Sequence, residues 1–144
     1  MLLVVLAVCA LAVPLAAHAS DATLKTTLGT WSRRIAADAH SLQLSAQHRH
    51  PRRLASTARR FRADALHARR VLAATRPSTV KGARARKLAL AAFAEYAIVG
   101  RDWALAGQAR LRKHRPAAIR YAQLAKTHAR RGGQQLTAAG KLLA

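Results

Sequence analysis

Three prolines, Pro51, Pro77 and Pro116, divide residues 22–143 into stretches that contain no other proline. Each sits in a polar break. His48-Arg49-His50 precedes Pro51, Ser78 to Gly82 follow Arg76-Pro77, and Lys113-His114-Arg115 precedes Pro116. Proline lacks an amide donor, so it suits a connection or a first helical turn but not a helix interior. The breaks predict helices at about 22–48, 51–75, 79–113 and 116–143, with Ser78 capping the third.

The apolar residues inside each stretch recur at steps of three and four. The rows are Leu24, Leu28, Trp31, Ile35 and Leu42 in the first, and Leu54, Ala58, Phe61, Ala65, Ala68 and Leu72 in the second. Leu90, Phe93, Ala97, Gly100, Ala104, Gly107 and Leu111 continue the pattern in the third, and Ala118, Ala122, Ala125, Ala129, Gly132, Leu136, Ala139 and Leu143 in the fourth. This spacing belongs to the seams of helical bundles. Short connections make successive helices antiparallel. The expectation is therefore an all-α, up-down-up-down four-helix bundle. Counting back from the connections puts Trp31 level with Ala68, Tyr96 and Gly132-Gly133, and Phe61 level with Ala39, Trp103 and Ala125. Large side chains then face small ones, as close packing requires.

Residues 1–19 differ from the rest. Leu2 to Leu15 are apolar except for the break at Pro14, and Ala17-His18-Ala19 presents small residues where a signal peptidase cuts. The run is short for a membrane span. This predicts a secretory signal peptide at 1–19 and a mature domain at 20–144, secreted or held in the cell envelope. An uncleaved N-terminal anchor is the alternative. Cys9, the single cysteine, lies inside the apolar run, so the mature part has no thiol for a disulfide, a metal or covalent catalysis.

Charge is the anomaly. Lys and Arg number 26 against five Asp and Glu, a formal net charge of +21. GC-rich codons explain abundant Ala and Arg but not the shortage of acids. The 51% hydrophobic content sets the chain apart from disordered polyelectrolytes. A field this positive attracts polyanions such as a cell-wall polymer, an anionic membrane or extracellular nucleic acid. The bundle topology gathers Arg49, Arg52, Arg53, Arg110, Arg112, Lys113 and Arg115 at one end, and these are the candidate polyanion-binding residues. Histidines at that end add charge below about pH 6.5. A second basic set covers the sides, with Arg59, Arg60, Arg62, Arg69 and Arg70 on the second helix and Lys81, Arg84, Arg86 and Lys87 opening the third.

Enzymatic signatures are missing. There is no phosphate-cradling Gly loop, no G-x-S-x-G and no H-E-x-x-H. A di-iron bundle needs Glu-x-x-His elements, yet Ile98 stands three residues after the single glutamate, Glu95. His48, His50 and His114 converge at the basic end, where the surrounding cations disfavour a metal ion. Glu95 and Asp102 share a helix face but lie about 10.5 Å apart along the axis, long for a catalytic carboxylate pair. Structural ion pairs suit four of the five acids better: Asp38 with Arg62, Asp64 with Arg34, Glu95 with Arg131 or Gln134, and Asp102 with Lys126 or His128. The expected class is a non-enzymatic binding protein without cofactor or metal. The alternative is a structural or interaction protein that binds an acidic protein partner or self-associates through Ala-rich helix faces. The nearly all-apolar stretch Leu88 to Val99, interrupted by Glu95, motivates that alternative.

Overall fold

A computed structural model describes residues 20–48 and 50–144; residues 1–19, where a signal peptide is expected, and Arg49 lie outside the described residues. Four α-helices form an all-α bundle: α1 (Asp21–Gln47), α2 (Pro51–Ala74), α3 (Val80–Leu111) and α4 (Arg115–Leu142). No strand occurs among the described residues. Proline occupies the first turn of α2 and of α4, where its missing amide costs nothing. Gly132-Gly133 does not interrupt α4, which runs unbroken through both.

Successive helices run antiparallel. Arg34 of α1 meets Asp64 of α2, and Ser45 meets Thr57. Gly107 of α3 lies against Pro51 and Ala55 of α2, and Gly100 lies against Ala58 and Arg62. Gly132 of α4 lies against Ala92 and Tyr96 of α3.

The number of buried faces on each helix decides how the bundle closes. α1 buries the narrow row Leu24, Leu28, Ile35, Leu42 and Ser45. α4 buries only Ala118, Ala125, Gly132 and Ala139, one small residue every two turns. One narrow row serves one neighbour. α3 buries two rows, among them Ala85, Ala89, Phe93, Ala97, Gly100, Ala104 and Gly107 on one side and Ala92, Val99, Ala106 and Ala109 on another. It is the central helix, packed on both α2 and α4, and this use consumes much of the apolar excess between Leu88 and Val99. α1 packs mainly on α2 and hardly touches α4.

The α2–α3 seam is the tightest part. A Cβ on Gly100 would lie 2.7 Å from Arg62 Cβ and 2.8 Å from the Ala58 carbonyl, and one on Gly107 would lie 2.9 Å from the Pro51 carbonyl. Only glycine permits such an approach of backbone to backbone. Phe61 and Phe93 fill the space beside this seam and meet Tyr96 edge-on, with ring centroids 6.1 and 6.0 Å apart.

At the opposite end from the basic residues, α1 is stapled to the α2–α3 connection. Ser20 caps α1 and its amide donates to the Arg76 carbonyl at 2.9 Å. The Asp21 carboxylate accepts the amides of Ser78, at 2.8 Å, and Thr79, at 3.4 Å, and the Thr79 hydroxyl. That hydroxyl is the main reason the Asp21 pKa is lowered from its ordinary value. The expected cap of the third helix moves by one residue: Thr79, not Ser78, accepts the Gly82 amide, while the Ser78 amide donates to Asp21. Gly82 has no side chain because a Cβ there would collide with Asp21.

Candidate functional site: a basic pole beside an apolar groove

The described residues of the sequence-derived basic set, Arg52, Arg53, Arg110, Arg112, Lys113 and Arg115, are all exposed. They lie at the end of the bundle that carries the α1–α2 and α3–α4 connections. Arg49 lies outside the described residues. None of the described six is in an ion pair.

The turn that presents three of these cations is unusual. The Lys113 amide donates to the Arg110 carbonyl at 3.0 Å and the His114 amide to the Ala109 carbonyl at 2.9 Å. These are the two bonds of a Schellman motif, whose pivot residue takes the left-handed conformation and is ordinarily glycine. Lys113 holds that position with φ 57°, and no other described non-glycine residue has positive φ. A side chain there costs about 1 kcal/mol relative to glycine.

All five acids are engaged elsewhere. Asp64 accepts from Arg34 at 3.0 Å, the pair that counting across the first hairpin predicts. The other expected pairings shift. Asp38 lies 3.9 Å from Arg60 rather than beside Arg62. It also shares its site with Asp64, and burial first, then the neighbouring carboxyl, raises its pKa. Glu95 pairs with His128, Nδ1 to Oε2 at 2.5 Å, instead of Arg131 or Gln134. Asp102 pairs with its own neighbour Arg101 at 2.9 Å instead of Lys126 or His128. Asp102 is 1% exposed and one of its oxygens, Oδ2, has no partner. Among the side cations, Arg86 is already used: its guanidinium donates to the Thr75 carbonyl at 2.7 Å and closes the end of α2.

Chemistry at these groups is limited by what surrounds them. An imidazole oriented by a carboxylate, as His128 is by Glu95, can activate a hydroxyl. No hydroxyl is hydrogen-bonded to His128 among the described residues. His48, His50 and His114 do not form a metal-ligand cluster: no three His, Cys, Asp or Glu residues among those described are grouped to hold an ion. No described helix is long and apolar enough to cross a membrane.

A feature that residue-by-residue reading misses lies between α1 and α4. There the bundle is open, and a groove of about 620 Å³ runs along it. Phe61, Tyr96, Val99 and Trp103 line it from α2 and α3, with Ile35 and Leu42 on the α1 side and Leu136 on α4. A second hollow of about 750 Å³ adjoins it at the basic end and includes Arg110, Lys113 and Arg115. The two share Ala46, Gln47 and Lys126. The sequence carries no clear signal for the groove: α4 has Ala122, Ala129 and Leu136 in the same apolar row as its buried residues, and they stay half-buried because α1 does not close on them.

Compared with protein-family models, curated proteins and solved structures, the chain shows no significant match.

Proposed function

We propose that this chain is an exported, non-enzymatic helical protein that binds polyanions through its Arg-rich pole. The observation that carries the reading is the gathering of Arg52, Arg53, Arg110, Arg112, Lys113 and Arg115, exposed and without a carboxylate partner, while every acid is occupied elsewhere. Arginine forks donate in pairs to phosphate and carboxylate oxygens, which suits a polymer of either group. Lys113 adds support. A cation kept at a glycine position, at a cost in backbone strain, is the pattern of a residue retained for what it contacts.

Export rests on the 1–19 segment, and the extracytoplasmic anions that follow from it are a wall polymer, an anionic membrane surface or extracellular nucleic acid. Peripheral contact with a membrane fits the absence of an apolar spanning helix among the described residues. Self-association through α3 loses its main motive, because α3 is covered by α2 and α4.

The test is a binding panel of duplex DNA, anionic vesicles and an acidic glycan, each titrated with salt. Phosphate-type contacts weaken log-linearly with salt. Binding to one member that persists near physiological salt is expected. Weak, interchangeable binding to all three, lost on modest salt addition, would reduce the pole to a solubilising surface.

A further inference from the structure

The α1–α4 groove and the basic pole form one continuous feature with two chemistries. Along α1 the groove extends from Ser32 to Gln47, about 22 Å at the rise of an α-helix. Over that length its lining is mostly apolar, and it includes the rings of Phe61, Tyr96 and Trp103. Its basic end is marked by Lys126, which belongs to both hollows, and beyond it stand Arg110, Lys113 and Arg115. A volume of several hundred Å³ with apolar walls and a few convergent polar groups is the usual form of a small-molecule site. No carboxylate lines either hollow.

We infer that this groove takes a single-chain anionic amphiphile, with its alkyl chain along Ile35, Leu42, Tyr96 and Trp103 and its acid headgroup at Lys126, Arg110, Lys113 and Arg115. Burying the chain removes its surface and the exposed groove wall from water, a favourable transfer in proportion to area. The headgroup, a carboxylate or a phosphate, meets the cations and stays partly solvated at the mouth. Charge complementarity selects this occupant over a second copy of the chain, since two basic poles brought together repel. The inference deepens the polyanion reading, because it uses three of the pole's cations, but it does not need the pole to bind a polymer.

The two tryptophans allow a direct test. Trp31 is outside the groove, stacked near His67 with ring centroids 5.0 Å apart, whereas Trp103 lines it. In protein expressed from the full chain and carrying Trp31→Phe, Trp103 is the sole indole reporter. Titration with palmitate should shift Trp103 emission to the blue and saturate at one palmitate per chain, counted by native mass spectrometry. Hexadecanol, with the same chain and no charge, should bind at least tenfold more weakly. Ala39→Phe fills the exposed side of the groove; it should weaken palmitate at least tenfold while leaving duplex DNA binding unchanged. Lys126→Glu should weaken palmitate and leave hexadecanol as it was. Equal affinity for palmitate and hexadecanol, or palmitate binding that survives Ala39→Phe, would overturn the inference. Failure of DNA and glycan binding alongside saturable palmitate binding would instead remove the polymer reading and leave the groove assignment standing.

Discussion

The α2–α3 seam and the α1–α4 side have opposite fates. Small residues dominate the buried faces of α2, α3 and α4, whereas α1 buries Leu24, Leu28, Ile35, Leu42 and Ser45. On α2 and α3 the small residues fall in repeated rows that meet each other, and the backbones close until Gly100 and Gly107 touch carbonyls. On α1 and α4 a single narrow row is spent on one neighbour, and nothing remains to join the two helices. Small residues make close packing possible; a second row is what makes it happen. The seam is closed backbone to backbone, and the open side leaves a groove that ends at the cations.

The largest expected effect lies at α3. Arg101→Ala leaves the buried Asp102 carboxylate without its half-exposed cation and should destabilise the fold by about 2 to 3 kcal/mol in urea unfolding, the cost of a buried acceptor left unsatisfied. Replacing both, Arg101→Ala with Asp102→Leu, should recover most of that loss. Next comes the seam itself. Gly100→Ala should cost about 2 kcal/mol, because the added methyl meets the Ala58 carbonyl and Arg62 backbone rather than a movable side-chain tip. A neutral result would mean that the two helices separate easily and that the seam is no tighter than the open side.

A smaller effect of opposite sign is expected at the pole. Lys113→Gly relieves the left-handed strain and should stabilise the domain by about 1 kcal/mol while weakening anion binding. Stabilisation without loss of binding would remove Lys113 from the site.

The smallest effect is at the α1–α2 contact, where Asp38 and Asp64 adjoin. The folded-state pKa of Asp38 is raised, so the folded chain holds a proton that the unfolded chain releases. Its ionised form therefore costs stability above the raised value, and that cost is relieved as pH falls through it. Asp38→Asn should stabilise by about 0.5 kcal/mol at neutral pH, the scale of one like-charge contact. The gain over wild type should shrink with acidification and vanish below the ordinary aspartate value of 3.8.

Much of the fold is legible in the sequence because helical periodicity and proline punctuation act locally. Pro51 and Pro116 mark helix starts through their own chemistry, and steps of three and four leave no alternative to helices. Counting across a connection also places residues at the right level along the bundle, which is how Arg34 finds Asp64 and Tyr96 finds Gly132. It does not fix rotation about the helix axis. Glu95 therefore meets His128 one turn away from its expected partner, and Asp38 meets Arg60 rather than Arg62. Asp102 escapes the method altogether, since its partner is adjacent in the chain. Asp21 depends on a contact with Ser78 and Thr79 more than fifty residues away, in the α2–α3 connection, which counting between paired helices does not reach. The groove is an absence of packing, and it shows only in which members of each apolar row are buried.

The measurement closest to the central claim compares two triple variants in polyanion binding at fixed salt. Arg52→Ala with Arg53→Ala and Arg112→Ala removes three pole cations. Arg69→Ala with Arg70→Ala and Arg84→Ala removes three exposed cations from the other half of the bundle and leaves the Arg86 contact with Thr75 intact. Both lower the net charge equally. The pole variant should lose at least tenfold more affinity for duplex DNA or an acidic glycan than the side variant, with a shallower salt dependence. Equal losses would contradict this and assign the binding to net charge alone.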